Sequence, residues 1–142
     1  MALKPHNTSH FLGAETSRIL EVVADKIEVV LNEFASIEYS DKFVLERYSE
    51  IHWNVFTKPS LFKRQELLLT VRLPKSRDPD SYPKTNGKFL DVNFSTDAGV
   101  PAPSEKKAIE FCEILSSATA LPIRCRIGSR LLEPPRSARW LA

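Results

Sequence analysis

The sequence predicts an α+β fold in which an antiparallel β-sheet is followed by a helix. Residues 66–75 ("ELLLTVRLPK") and 88–96 ("KFLDVNFST") alternate apolar and polar side chains with the period of two that is typical of half-buried strands. Residues 104–118 instead space their apolar side chains along one helix face, with Ser104 as a candidate N-cap. That face comprises Ala108, Phe111, Cys112, Leu115 and Ala118.

Size and composition favour one globular domain spanning residues 1–142, since 42% of the residues are hydrophobic and 27% are charged. No apolar stretch is long enough to span a bilayer, and the first residues lack the apolar core of a signal peptide, so we expect neither feature. The two cysteines, Cys112 and Cys125, are too few for a disulfide framework. Two buried free thiols are favoured over a disulfide.

The N-terminal third allows two interpretations. Residues 1–15 are polar and are predicted to form an irregular arm. Apolar residues within 16–34 fit a helical stripe, but most of them are β-branched, and "RILEVV" and "KIEVVL" could equally form two strands of a hairpin. The residues alone favour the helix slightly, and both interpretations stay open at this point.

Further strand candidates occur on both sides of the two clear alternations. Residues 35–40 ("ASIEYS") and 48–56 ("YSEIHWNVF") precede them, and residues 121–128 ("LPIRCRIG") alternate again after the predicted helix. Pro74 ends the strand that begins at residue 66, because proline has no N–H for the ladder. The polar loop that follows, residues 76–87, is long for a simple chain reversal, which is typical of loops that make functional contacts.

The predicted sheet has two unlike faces. A single C-terminal helix is thin cover for the apolar face, so we expect an oligomer. The other face offers hydrogen-bonding groups, an arginine and an aromatic ring, which suit RNA bases and phosphates, although an ordinary solvated face is the alternative. Leu68 is the residue that fits the polar face least well. The apolar face comprises Trp53, Val55, Leu69, Val71, Leu73, Leu90, Val92 and Phe94, and the polar face comprises His52, Asn54, Phe56, Thr70, Arg72, Phe89, Asp91 and Asn93.

Charge and motifs argue against catalysis. The formal net charge is +2, but residues 119–142 hold five arginines against Glu133 alone, and guanidinium groups suit phosphate contacts. A solubilising tail explains this basic C-terminal segment equally well. The three histidines share no metal-ligand spacing with the cysteines, and no glycine-rich phosphate loop or nucleophile elbow is present. The sequence therefore predicts neither an enzyme, nor a metal site, nor a cofactor.

The order of these segments resembles the coat proteins of single-stranded RNA phages of the levivirus type. The resemblance covers about residues 35–118 and rests on "ASIEYS", "YSEIHWNVF", "RQELLLTVRLPK", "KFLDVNFST" and "GVPAPSEKKAIEFCEILSS". In that family a strand ending in Pro-Lys precedes a long loop, and the next strand runs through a Pro/Ser-containing break into a helix. The resemblance implies an N-terminal β-hairpin over residues 16–34, and it implies dimers in which C-terminal helices pack on the partner's sheet.

The resemblance also implies a function. Such dimers assemble into an icosahedral shell, with the long loop at the symmetry axes and the polar sheet face on genomic RNA, in some members on a hairpin used in translational repression. We would then expect a virion protein that assembles in the host cytoplasm and does not bind membranes. Phe89 stands where the family uses a base-stacking aromatic, whereas Asp91 replaces a neutral donor and is unfavourable near phosphate. The implied RNA-binding residues are His52, Asn54, Thr70, Arg72, Phe89 and Asp91.

Two departures from the family keep other functions open. Residues 119–142 alternate like a strand where the family has a second helix, and residues 16–34 could be helical. A leading helix, an antiparallel sheet, a helix and a last strand are combined in phage tail-completion and head–tail joining proteins. A small dimeric nucleic-acid-binding regulator is the third hypothesis. The structure of residues 16–34 discriminates between the first two, because a hairpin favours the coat protein and a helix favours the joining protein.

Overall fold

A computed structural model describes residues 8–49, 51–73 and 89–132 of the chain. Within these ranges the fold is α+β, with two helices and one six-stranded mixed sheet whose strands lie side by side in chain order. Neighbouring strands are antiparallel except for the parallel fourth and fifth strands. The elements are α1 (Thr8–Glu38), β1 (Phe43–Ser49), β2 (His52–Thr57), β3 (Leu67–Arg72), β4 (Leu90–Phe94), α2 (Glu105–Thr119), β5 (Ile123–Ile127) and β6 (Arg130–Leu131).

The N-terminal β-hairpin predicted over residues 16–34 is wrong, because these residues belong to α1. The helix begins at Thr8, inside the segment expected to be an arm, and it also includes most of the strand expected at 35–40. Ala24, Ile27 and Leu31 are buried along one helix face, a spacing that a hairpin would divide between two faces. Burying that face outweighs the slightly lower helix propensity of the β-branched residues.

Both helices pack against the same face of the sheet and share one apolar core with it. The ring of Phe34 on α1 lies 4.5 Å from the ring of Phe111 on α2 and 5.8 Å from the ring of Phe94 on β4, measured between centroids. The apolar face is thus covered by the chain's own two helices. The expectation that a partner must supply the missing cover loses its basis, because α1 supplies it.

The second helix confirms most of its prediction. Ser104 is its N-cap, since its Oγ accepts a hydrogen bond of 3.2 Å from the backbone N–H of Lys107. Four of the five residues of the predicted apolar face are buried, namely Ala108, Phe111, Cys112 and Leu115. Parallel strands need a crossover connection, and α2 provides it between β4 and β5.

The predicted free thiols are confirmed in this structure, where Cys112 on α2 and Cys125 on β5 are both buried and unbridged. Burial raises the pKa of the Cys112 thiol, and its hydrogen bond with Cys125 raises it further. Both thiols therefore belong to the apolar core between α2 and the sheet.

Polar contacts connect α1 to the strands β1 and β2. The indole N–H of Trp53 on β2 donates to Glu28 Oε2 on α1 at 3.0 Å, and Arg47 Nη1 on β1 lies 3.5 Å from the same oxygen. The Arg47 guanidinium also lies 5.4 Å from the centre of the Trp53 ring. Glu28 thus provides the acceptor that a buried indole N–H requires.

Candidate functional site

The sheet face opposite the helices carries two rows of polar side chains that run across the strands. The predicted RNA-binding residues His52, Asn54, Thr70, Arg72 and Asp91 all occupy positions in these two rows. Two arginines of β5 extend the rows, because β5 pairs with β4. In strand register, the first row is His52, Arg72, Asp91 and Arg124, and the second row is Asn54, Thr70, Asn93 and Arg126.

Asp91 is the centre of the first row. Its Oδ2 lies 3.4 Å from Nη2 of Arg72 and 3.3 Å from Nη2 of Arg124, while Arg124 Nε lies 3.5 Å from Oδ1. Burial raises the pKa of the Asp91 carboxyl, and the positive charges of Arg72 and Arg126 counter that rise. Among the described residues, one buried carboxylate thus lies near three arginines, Arg72, Arg124 and Arg126.

This arrangement changes the role expected of Asp91. The sequence indicated an acid that would be unfavourable beside phosphate, but the carboxylate is buried and bonded to two guanidinium groups. Arg72 keeps half of its side chain exposed, whereas Arg124 is mostly covered. Asp91 therefore positions its arginine neighbours instead of presenting a negative surface.

Phe89 does not offer the exposed ring that base stacking requires. It is fully buried, and the Arg124 guanidinium lies 5.5 Å from the centre of its ring. Burial lowers the pKa of Arg124, and the positive charges of Arg126 and Arg72 lower it further. In this structure the Phe89 ring is therefore not accessible to a base.

The remaining polar residues form a half-buried surface. The His52 Nε2 and Asn54 Oδ1 atoms lie 3.1 Å apart, and the Tyr48 ring packs edge-on at 5.2 Å from the His52 ring. Thr70 and Asn93 line a shallow depression of about 270 Å³ near the turn after β4. Its lining offers hydroxyl and amide groups together with the carboxylate of Asp97.

Leu68 leaves the polar face through a β-bulge. The pairing of β2 with β3 shifts between Val55, which faces Leu69, and Phe56, which faces Leu67. Leu68 is consequently turned into the core at 3% exposure, while Leu67 stays 39% exposed. The residue that disagreed with the predicted polar face is therefore a core residue.

Sequence reasoning missed Arg124 and Arg126 as members of this face. The sequence places both in the basic C-terminal segment, 119–142, and their alternation with apolar neighbours indicates that they share one strand face. Only the parallel pairing of β5 with β4 places them beside Asp91 and Asn93. The rest of that segment from 133 onward, together with residues 1–7 of the arm and the loop 76–87, lies outside the described residues.

Comparison with known proteins gives no relative: no family model matches the chain, and no similar curated protein or solved structure was found. Across the ranges that the structure describes, no group of three or more histidine, cysteine, aspartate or glutamate side chains is placed to hold a metal ion. In the same part of the chain, neither helix has the length and apolar content needed to cross a membrane.

Proposed function

We propose that this chain is a structural subunit of a bacteriophage particle, of the tail-completion or head–tail joining class, which acts by assembling with further copies of itself. The order of elements is the observation that carries the proposal. A leading helix, four antiparallel strands, a second helix and the strand β5 follow one another in the order of that class, and the two-residue strand β6 is added at the end. The proposal rests on this likeness of architecture.

The covered sheet supports a subunit that folds before it assembles. Because α1 and α2 both pack on the sheet of their own chain, contacts between copies must use other surfaces. Leu61 and Phe62, in the loop between β2 and β3, are each 95% exposed. Two adjacent large apolar side chains held in water favour a surface that another molecule covers.

A second candidate is the coat protein of a single-stranded RNA phage, which would form dimers and then an icosahedral shell. Arg72 and Arg126 on the polar face favour it, since guanidinium groups bind phosphate. In this function His52, Asn54, Thr70 and Arg72 would contact genomic RNA. A small dimeric nucleic-acid-binding protein would use the same face.

Expression of the chain alone, followed by size-exclusion chromatography and negative-stain microscopy, tests the proposal. We expect open oligomers of uniform subunit number that hold no nuclease-protected RNA. Closed particles of uniform size with protected RNA would replace the joining function with the coat function. A monomer at every concentration tested would contradict both assemblies.

A further inference from the structure

The loop between β2 and β3, residues 58–66, presents its two apolar side chains on a defined backbone. The Ser60 N–H donates to the Lys63 carbonyl at 3.0 Å, and the Lys63 N–H donates to Ser60 Oγ at 3.1 Å. These two bonds close a tight turn with Leu61 and Phe62 at its tip. The turn restrains the backbone that carries both side chains, so less backbone freedom is lost on binding.

The base of the same loop is also fixed. The backbone of Thr57 and Glu66 pairs at 2.8 Å, and the Glu66 N–H donates to Thr57 Oγ1 at 2.8 Å. The Glu66 carboxylate accepts the Gly99 N–H at 3.2 Å, which connects the loop to the segment before α2. The loop is therefore a preformed projection of the sheet.

A groove between α1 and α2 offers a matching apolar surface. It has a cavity volume of about 290 Å³, close to the lower end of ligand-pocket sizes. Ile37 is 83% exposed and Ile114 is also exposed, while the rings of Phe34 and Phe111 form part of the lining. The groove lies on the outside of the helical layer, so a partner can reach it.

The charges around the loop and the groove are complementary. The loop carries Lys63 and Arg64 next to its apolar tip, and both side chains are exposed. The groove is lined by Glu33 and Glu110, whereas its lysine, Lys107, is paired with Glu38 at 3.3 Å. A positive projection with an apolar tip therefore matches an apolar groove with a negative rim.

We propose that the Leu61–Phe62 tip of one copy inserts into the α1–α2 groove of a second copy of this chain. The near-complete exposure of the tip shows that it does not occupy the groove of its own chain. The second copy is the occupant that the charges favour, because each chain carries both halves of the contact. The inference deepens the proposed function, on which it rests, by naming the surface through which subunits assemble.

This contact joins two different surfaces, so it leaves a free loop on one copy and a free groove on the other. Such head-to-tail contacts generate rings when the rotation between copies closes, and open filaments when it does not. A ring is the assembly expected of a joining protein. The proposed contact thus supplies a physical route from this fold to that assembly.

Two single variants and their mixture test the contact. Phe62→Asp places a charge at the tip, and Ile37→Asp places one in the groove; both side chains are exposed, so the fold is expected to persist. We expect each variant alone to be monomeric, with at least a tenfold loss of self-affinity by analytical ultracentrifugation. A 1:1 mixture should form a heterodimer that grows no further, because it contains one intact tip and one intact groove.

Matched controls separate this contact from general effects of charge. Val29→Asp changes an exposed valine of the same helix that does not line the groove, and Phe62→Leu keeps an apolar tip. Both should assemble like the unmodified chain, and circular dichroism checks that all variants are folded. Oligomers that persist in both Phe62→Asp and Ile37→Asp would overturn the contact but leave the joining function standing. RNA-filled shells that both variants abolish would support the contact and overturn that function.

Discussion

At the scale of single residues, one β-bulge gives two adjacent leucines, Leu67 and Leu68, different burial. Leu68 is turned into the core, whereas Leu67 remains on the exposed side of β3. We expect Leu68→Ala to lower the free energy of unfolding by about 2–5 kcal/mol, since it leaves a cavity. Leu67→Ala should cost less than about 1 kcal/mol. Urea denaturation with an unchanged m-value measures both, and equal losses would contradict the bulge.

The sequence could predict the neighbours of Leu68 but not Leu68 itself. Strict alternation correctly places Leu69 and Val71 in the core, yet it also assigns Leu68 to the polar face. A bulge adds one residue to one strand, and nothing in "ELLLTVRLPK" marks where that happens. Phe89 is similar, because alternation gives its side of the strand but not its burial, and its neighbour Arg124 comes from a distant segment.

At the scale of elements, the local pattern of residues 16–34 fits both a helix and a hairpin, and packing against the rest of the chain selects the helix α1. Its buried positions follow helical spacing. Val22 and Val29 are apolar but exposed, so the apolar residues of the sequence do not all lie on one helix face. β-branched residues inside it then suggest strands, although their cost to a helix is only a few tenths of a kcal/mol each. The helix forms because one face meets the sheet and α2, and such long-range contacts cannot be read from residues 16–34 alone. For α2, by contrast, the N-cap Ser104 and the spacing of the apolar residues both indicate a helix, and the predicted helix is confirmed.

The end of α2 permits a stabilising substitution. Ala120 has φ 59° and ψ 26°, a left-handed conformation that costs an L-residue about 1–2 kcal/mol, and its N–H donates to the Ser116 carbonyl. Ala120→Gly should therefore raise the free energy of unfolding by about 0.5–1 kcal/mol, because glycine adopts this conformation freely. Ser117→Gly, at an exposed position inside α2, should instead lower it by about 0.5 kcal/mol. Thermal denaturation compares the two, and a lower melting temperature for Ala120→Gly would refute the strain.

At the scale of the whole molecule, the chain separates its surfaces. The helices occupy one face of the sheet, the arginine rows occupy the other, and the Leu61–Phe62 tip projects from the loop between β2 and β3. Alternation could locate Thr70 and Arg72 on the polar face in advance. It could not add Arg124 and Arg126, since their place depends on a parallel pairing across the α2 crossover. The sequence predicts an oligomer because the apolar sheet face lacks cover, but α1 covers that face. The exposed side chains of Leu61 and Phe62 give a different reason to expect assembly.

The polar face gives the last prediction, which tests the second candidate function, in which this face contacts RNA. Arg72→Glu combined with Arg126→Glu should weaken binding of a fluorescently labelled single-stranded RNA at least tenfold, because two guanidinium groups of the polar face are replaced by carboxylates that repel phosphate. For Arg72 and Arg126 on phosphate, the logarithm of affinity should fall with the logarithm of salt concentration with a slope of about −1.4, and the double variant should flatten it. Lys26→Glu with Lys106→Glu makes the same change of charge at exposed positions on the helices. Fluorescence anisotropy at several salt concentrations measures each affinity, and equal losses in the two double variants would show that RNA responds to net charge and not to this face.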